Sequence, residues 1–383
     1  MSKLYFIVNT NAKTGNANQV WRQVYDFLRQ KHIPYEAYET KYVGHAMVLA
    51  RELSKKQEKA VYLIAVGGDG TVNEVLNGIT DFQKVRLGVI ASGSGNDFGK
   101  GMGIPTDPIV CMRQILKCIR RENHGIPIKK TDLGQVTWEN GKKHRIFGIS
   151  AGVGLDAIVC KKALHSNCKK FLNRIHLGKL TYLVLTVQSL FTMDTAEAVV
   201  ECGDNHKIYR LHKTIFAAAM NLQAEGGGIP MAPHASCTDG MLSLSSAHGI
   251  PKAITFFCLP FLVAAKHEKI RGFTTIESPV IRVHTNKPVV LHTAGEDTRV
   301  AEVTESERDN KPDHGATEYA KQYQPDAEYD LKGIASDITS LDVEKAISDM
   351  KKDQVLQQYQ FFVGERMSQT GLLYIRPNEN FSL

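Results

Sequence analysis

The chain has 383 residues, 43% of them hydrophobic and 8% aromatic, enough apolar side chain for the cores of two domains. Its formal charge of +7 is unevenly placed: residues 301–383 hold 9 Lys and Arg against 16 Asp and Glu, leaving 38 against 24 in the first 300, so a net −7 tail follows a +14 body. Seven cysteines, at 111, 118, 160, 168, 202, 237 and 258, are odd in number and form no Cys-x-x-Cys pair, which argues against a disulfide framework or a zinc site and for a reducing cytoplasm.

In chain order, short apolar runs at 4–8, 35–39, 60–66 and 87–91 are expected as strands. Helical patterns near 17–30, 44–57, 71–78 and 106–120 alternate with them; the first carries Val20, Trp21, Val24, Tyr25 and Leu28 on one face. Such alternation predicts a layered α/β domain with a mainly parallel sheet, spanning residues 1–125. The apolar run at 4–8 is too short for a signal peptide core.

After Gly125 the pattern changes to short β-type runs at 127–138, 145–150, 196–201, 207–221, 240–246, 272–284 and 286–292, with helical patterns near 160–192 and 250–266. A β-rich second domain over 126–297 is expected. An exposed β edge there would permit a homodimer. Residues 253–265 form the longest apolar stretch, well short of the roughly 20 residues that span a bilayer. It is expected as a core helix, kinked or restarted at Pro260, with a membrane-surface role as the alternative.

Basic residues Lys161, Lys162, Lys169, Lys170, Arg174 and Lys179 interleave with Leu164, Phe171, Leu172, Ile175 and Leu177. This pattern fits either a solvated helical face or contact with an anionic membrane. No nucleic-acid recognition motif accompanies it. Residues 298–383 are expected as an acidic tail, with a polar linker to about 329 and then a helix over 341–362. Thr339 would cap that helix, and Val343, Ala346, Ile347 and Met350 would form its stripe. Its role stays open between docking on the body, binding a partner and being an appended segment.

The chemistry concentrates where strands end. Residues 66–75 read Val-Gly-Gly-Asp-Gly-Thr-Val-Asn-Glu-Val directly after a buried strand. Adjacent glycines let a backbone approach phosphate, and the following helix N-terminus favours negative charge. Asp69 among phosphates needs a divalent cation to offset repulsion, so the turn points to a nucleoside triphosphate with magnesium. Alone, the turn also fits a tight strand-to-helix connection, the lesser of the two readings. However, Ser92-Gly93-Ser94-Gly95-Asn96-Asp97-Phe98 follows the strand at 87–91, and Asn9-Thr10-Asn11-Ala12-Lys13-Thr14-Gly15 follows the strand at 4–8. Strand ends in an open α/β sheet share one edge, which brings three such loops together.

These two glycine loops, Gly226-Gly227-Gly228 with Ala232-Pro233, Thr238-Asp239-Gly240-Met241-Leu242, and His292-Thr293-Ala294-Gly295-Glu296 resemble the diacylglycerol kinase catalytic-domain family. The match is to the bacterial soluble type, related to sphingosine and ceramide kinases, in order and spacing over residues 3 to about 297. The resemblance implies an N-terminal nucleotide-binding domain of the NAD-kinase and diacylglycerol-kinase type, a β-rich lipid-substrate domain, and ATP bound between them. It also implies a lipid kinase making phosphatidic acid or a similar product, which meets its substrate at the inner face of the membrane. An NAD kinase shares the Gly-Gly-Asp-Gly turn, but the Gly226–Gly228, Ala232-Pro233 and Asp239-Gly240 run argues against it.

By the same resemblance, ATP positions fall on Asn9, Thr10, Asn11, Thr40, Gly67, Gly68, Asp69, Gly70, Thr71, Val72, Asn73 and Ser94. Asp69, assisted by Asp132, would anchor the nucleotide's magnesium. A second magnesium would take the Ser236 and Met241 carbonyls and the Asp239 carboxylate, the alternative being a β-turn in which Asp239 satisfies local amides. Asp97 and Asp156 are expected to hold turns. Where the family reads Thr-Asp-Gly-Glu, this chain has Ala294 in place of the aspartate. Glu296 is then the expected proton acceptor, and a catalytically impaired nucleotide- and lipid-binding module is the alternative function.

Overall fold

The computed structural model describes residues 3–10, 16–128, 130–139, 141–165, 178–203, 207–293, 296–297, 357–363 and 370–372. The expected β–α alternation is present: β1 (Leu4–Val8), α1 (Asn16–Gln30), β2 (Tyr35–Glu39), α2 (His45–Ser54), β3 (Val61–Gly67), α3 (Asp69–Gly78) and β4 (Val85–Ala91). Strands β1, β3 and β4 are almost wholly buried because helices cover both faces, which is why they read as continuous apolar runs. Their pairings run parallel in the order β2-β1-β3-β4, so all four carboxyl ends open on one edge. A short α4 (Asp97–Met102) and a longer α5 (Pro108–Asn123) follow. Asp107 caps α5, accepting from the amides of Ile109 and Val110, and Pro108 fills the first helical position.

The second part contains β5 (Lys130–Thr131), β6 (Gly134–Trp138), β7 (Lys143–Phe147), β8 (Ser150–Gly154), α6 (Leu155–His165), α7 (Gly178–Thr192), β9 (Ala196–Cys202), β10 (Ile208–Thr214) and β11 (Phe216–Met220). It continues through β12 (Leu242–Ala247), α8 (Lys252–Val263), β13 (Phe273–Ser278), β14 (Val280–Thr285), β15 (Leu291–Thr293) and β16 (Glu296–Asp297). One sheet is ordered β13-β12-β11-β8-β15-β16 and a second contains β10, β9, β14, β6 and β7. Their inner faces meet through Val136, Phe147, Val153, Val200, Leu244 and Val283 in one apolar cluster. The far face of the first of these sheets packs on helices through Leu155, Val159, Leu190, Met220 and Cys258.

The tail contains two strands that the sequence pattern did not reveal. Residues Gln357–Val363 form β17, antiparallel to both β14 and β6 and lying between them. Residues Thr370–Leu372 form β18, parallel to β4 and antiparallel to β5, in the first sheet. The helix expected over 341–362 is therefore wrong over its last six residues; 341–356 lie outside the described residues. Gln-Gln-Tyr-Gln-Phe-Phe-Val suits a strand, and the two free ladder edges of β14 and β6 outweigh any weak helical periodicity. The division at 297 thus separates two strands from the sheets they complete.

The core-helix expectation for 253–265 also fails. Helix α8 runs through Pro260 and buries only Thr255, Cys258 and Leu262, one stripe at helical spacing. Phe257 is 70% exposed and Val263 64%. The sheet face beneath already packs on α6 and α7, so α8 contributes one narrow stripe and leaves the rest outside. Among the basic cluster, only the Lys162 side chain is described; its Nζ donates to Thr192 Oγ1 at 3.3 Å.

Candidate active site

The glycine loops meet as expected at the carboxyl edge of β1, β3 and β4. Backbone bonds carry the register past the strands: Asn9 N donates to Val66 O and Ser92 N to Gly67 O, both at 2.9 Å. A Cβ added at Gly93 would lie 2.5 Å from Gly68 Cα, so the two loops touch backbone to backbone. At Gly67 a Cβ would lie 2.5 Å from Thr71 Cβ. Here glycine is required by close approach, since neither position has a positive φ. Asn96 sits in the left-handed region at φ 55° and accepts from Gly93 N at 2.8 Å, holding the second loop's turn.

Asp69 opens α3 with its carboxylate tied to the second loop: Phe98 N donates to Oδ1 at 2.9 Å. Beside it lies Asp97, buried, whose Oδ2 accepts from Gly227 N at 2.6 Å. That bond joins the first domain to the Gly226–Gly228 run of the second. Burial pushes the Asp97 carboxyl above the usual carboxylate range, with the Asp69 charge adding to the rise and Gly227 and Lys100 opposing it. Asp97 therefore does more than hold a turn. Two neighbouring carboxylates create the negative site a divalent cation would neutralise.

The remaining nucleotide candidates divide by position. Asn9 and Thr10 lie at the end of β1, Asn11 lies outside the described residues, and Asn9 Nδ2 donates to Thr71 Oγ1 at 2.9 Å. Thr40 follows β2 with its amide on Val8 O, and Ser94 is exposed at the loop tip. Gly68, Asp69 and Gly70 are partly exposed where first-turn amides of α3 lack intrahelical partners. Thr71, Val72 and Asn73 are buried, so only their backbone suits a ligand. Ser92 Oγ is buried at the loop base with no partner among the described residues. Glycines without room for a Cβ, open helix amides, an orphaned hydroxyl and paired carboxylates fit a polyphosphate with a divalent cation.

Asp132 lies elsewhere than beside Asp69. Its Oδ2 accepts from Gly240 N at 2.8 Å, its amide donates to Cys237 O at 2.7 Å, and the Asp239 charge adds to the rise that burial causes in its carboxyl. It belongs to the 236–241 turn. There Asp239 Oδ1 accepts from Met241 N at 3.0 Å, Ser236 Oγ meets Thr238 Oγ1 at 3.2 Å, and Gly240 has φ 74°. These bonds are those of the β-turn alternative, while two neighbouring carboxylates keep an oxygen-rich corner suited to magnesium.

In the β15–β16 ladder, Glu296 stands opposite Thr293 and Asp297 opposite His292. The side chain of Glu296, and Ala294 with Gly295, lie outside the described residues. Sequence reasoning missed Glu74, which accepts from Gly44 N at 2.8 Å and Ala46 N at 3.1 Å and so caps α2 from a neighbouring helix. It also missed Asn221, buried, whose Nδ2 donates to Asp132 O and Gly148 O. Glu225, directly before Gly226, was passed over, and His292 was read as part of its motif without a role.

Gly93→Ala should weaken nucleotide binding by about tenfold or more, because a Cβ within 2.5 Å of Gly68 Cα forces the loops apart. Titration of a fluorescent ATP analogue, with far-ultraviolet circular dichroism as the folding control, measures this. Unchanged affinity would mean that the two loops do not act together.

The fold is thus a parallel α/β domain with two glycine loops at one edge, joined to a β-rich domain of two packed sheets. The family model "Diacylglycerol kinase catalytic domain" matches residues 3–126, and "YegS C-terminal NAD kinase beta sandwich-like domain" matches residues 149–308. The chain is 30% identical over 301 residues to the Bacillus subtilis (strain 168) protein named "Putative lipid kinase YtlR", covering 77% of this chain and 94% of that one. It is 29% identical over 223 residues to "Diacylglycerol kinase" of the same strain, covering 58% of this chain and 66% of that protein. A solved structure titled "Crystal structure of a putative diacylglycerol kinase from Bacillus anthracis str. Sterne" superposes with TM-score 0.58 at 22% identity, over 77% of this chain and 90% of that one. The chain belongs to the diacylglycerol kinase catalytic-domain family of lipid kinases.

Proposed function

We propose that the protein transfers the γ-phosphate of ATP to the hydroxyl of diacylglycerol or a similar lipid, with magnesium. The observation that carries this reading is the placing of Asp69 and Asp97 as electrostatic neighbours between two glycine loops at the sheet's carboxyl edge, with Asp97 bonded across to Gly227. When bound, magnesium would neutralise charge on the phosphates. The chain's own groups do the rest: loop and α3 amides orient the phosphates, and Asp69, held by Phe98 N, would hold the cation beside them. Glu296, on the strand entered from His292 and Thr293, is the proposed acceptor of the lipid hydroxyl proton. Asp132 with Ser236, Asp239 and Met241 is proposed as a second, structural magnesium corner.

The substrate would come from a membrane, and α8 supports a peripheral contact there. Ile254, Phe257, Phe261 and Val263 are all at least half exposed, Phe191 of α7 stacks toward Phe256 at 6.4 Å, and Lys252, Lys266, Lys269 and Arg271 lie close in sequence. An exposed aromatic face with basic neighbours suits an anionic bilayer surface. No described helix is long and apolar enough to cross a membrane. Phe257→Asp with Phe261→Asp should reduce co-sedimentation with phosphatidylglycerol vesicles by about tenfold or more. Binding to those vesicles that survives the double change would place the contact elsewhere.

Transfer of labelled phosphate from ATP to diacylglycerol in mixed micelles tests the reading. Magnesium-dependent formation of phosphatidic acid is expected. No transfer to any lipid alcohol, with activity appearing in Ala294→Asp, would favour the impaired nucleotide- and lipid-binding module.

A further inference from the structure

Asp156, Glu225 and His292 converge in the interior of the second domain, on the side of Gly227 and of Asp97 in the second glycine loop. They come from the first turn of α6, the segment after β11, and β15 respectively. One donor atom from each lies within 4.8 Å of the others. His292 Nε2 is 2.7 Å from Asp156 Oδ2, and the two side chains are 1% and 10% exposed. Glu225 is partly exposed as a residue, but its carboxyl group is interior and takes a hydrogen bond from Ser150 Oγ. Asp156 Oδ1 is buried with no partner among the described residues. Packing is tight around this group: a Cβ at Gly152 would lie 2.4 Å from Asp156 Oδ2.

Two carboxylates and an imidazole withdrawn from water need compensation by protons or a cation. Burial is the largest influence raising the Glu225 carboxyl above its usual range. Asp156 and Asp97 add to it, and His292 and the Ser150 hydrogen bond oppose it. A neutral imidazole, two carboxylates and one divalent cation balance to zero, and they use the free Asp156 oxygen. We propose that Asp156, Glu225 and His292 bind one divalent transition cation of the Zn2+ or Mn2+ class. An imidazole nitrogen with two carboxylates selects such ions over Mg2+ and Ca2+, which prefer all-oxygen sites, so this ion is distinct from the one expected with ATP.

The ion would pin β15 to α6 and to the segment that carries Gly227. Asp97 holds Gly227 on one side, and the strand bearing Glu296 pairs with β15 on the other. The three residues would therefore act as positioning residues, fixing the distance between the two halves of the cleft.

The test uses the full chain, stripped with a chelator, exposed to Zn2+ or Mn2+ with excess Mg2+ present, desalted and assayed for metal by mass spectrometry. About one equivalent should remain in the wild type and in His212→Gln, whose histidine is exposed on the surface. Retention should fall at least about tenfold in His292→Gln and Glu225→Gln. The metal should raise the wild-type melting temperature by roughly 5 °C at saturation and leave both variants unmoved. If either variant fails to fold, Co2+ added to the stripped wild type should give visible absorption bands characteristic of nitrogen and oxygen ligation. A wild type that retains no Zn2+ or Mn2+ and gives no Co2+ bands would overturn the proposal and leave a proton-sharing cluster. Neither ATP nor lipid enters these measurements, so their failure leaves the kinase reading untouched.

Discussion

Asp69→Asn should lower phosphate transfer to lipid by about 100- to 10,000-fold while leaving the fold intact. The amide can still accept from Phe98 N, so the link between α3 and the second loop survives. What is lost is the negative charge beside Asp97 that would hold a divalent cation against the phosphates. Asparagine is the informative change, because alanine would also release the 97–98 loop and confuse geometry with charge. The two effects separate in steady-state kinetics. Loss of cation anchoring lowers kcat and raises the magnesium concentration needed for half activity, whereas loop release raises KM for ATP. Wild-type rates in Asp69→Asn at all magnesium concentrations would remove Asp69 from the chemistry. Glu296→Gln should cost a similar factor at unchanged KM for ATP if it is the proton acceptor, since its role begins only when the lipid hydroxyl attacks.

Ending the chain at residue 356 should cost more than about 5 kcal/mol, comparable with the whole stability of a domain, and leave the sandwich unfolded or aggregated. Strand β17 pairs with β14 from Val280↔Phe362 to Thr285↔Gln357 and with β6 from Val363↔Gly134 to Gln360↔Thr137. Removing it splits one sheet into two pieces with bare ladders facing each other, where unpaired amides and carbonyls become buried or open to other chains. Ending at residue 366 instead keeps β17 and removes only β18, which touches β4 and β5 through short ladders. That shorter truncation should stay folded with a lower melting temperature. Thermal unfolding and gel filtration of the pair distinguish the cases, and equal stability of the 356 truncation and the full chain would sink the assignment.

The sequence alone determined the first domain and where its glycine loops meet. Buried parallel strands must be nearly uniformly apolar, so β1, β3 and β4 stand out, and the helices between them show one-sided patterns. Strand ends that carry Gly67-Gly68-Asp69 and Gly93 to Asp97 must share an edge once the sheet is parallel, and so the meeting of the two glycine loops was legible in the sequence. Tertiary structure decided what depends on long-range partners. Gln357–Val363 is a strand because two edges elsewhere in the chain await it, which local periodicity cannot report. Asp132 joined Asp239, and Asp156, Glu225 and His292 met from segments up to 136 residues apart, because the packing of distant strands, helices and turns sets those neighbours. Helix α8 shows the same limit in reverse: its composition is that of a core helix, but whether its aromatic face is covered depends on how much of the sheet the other helices already occupy.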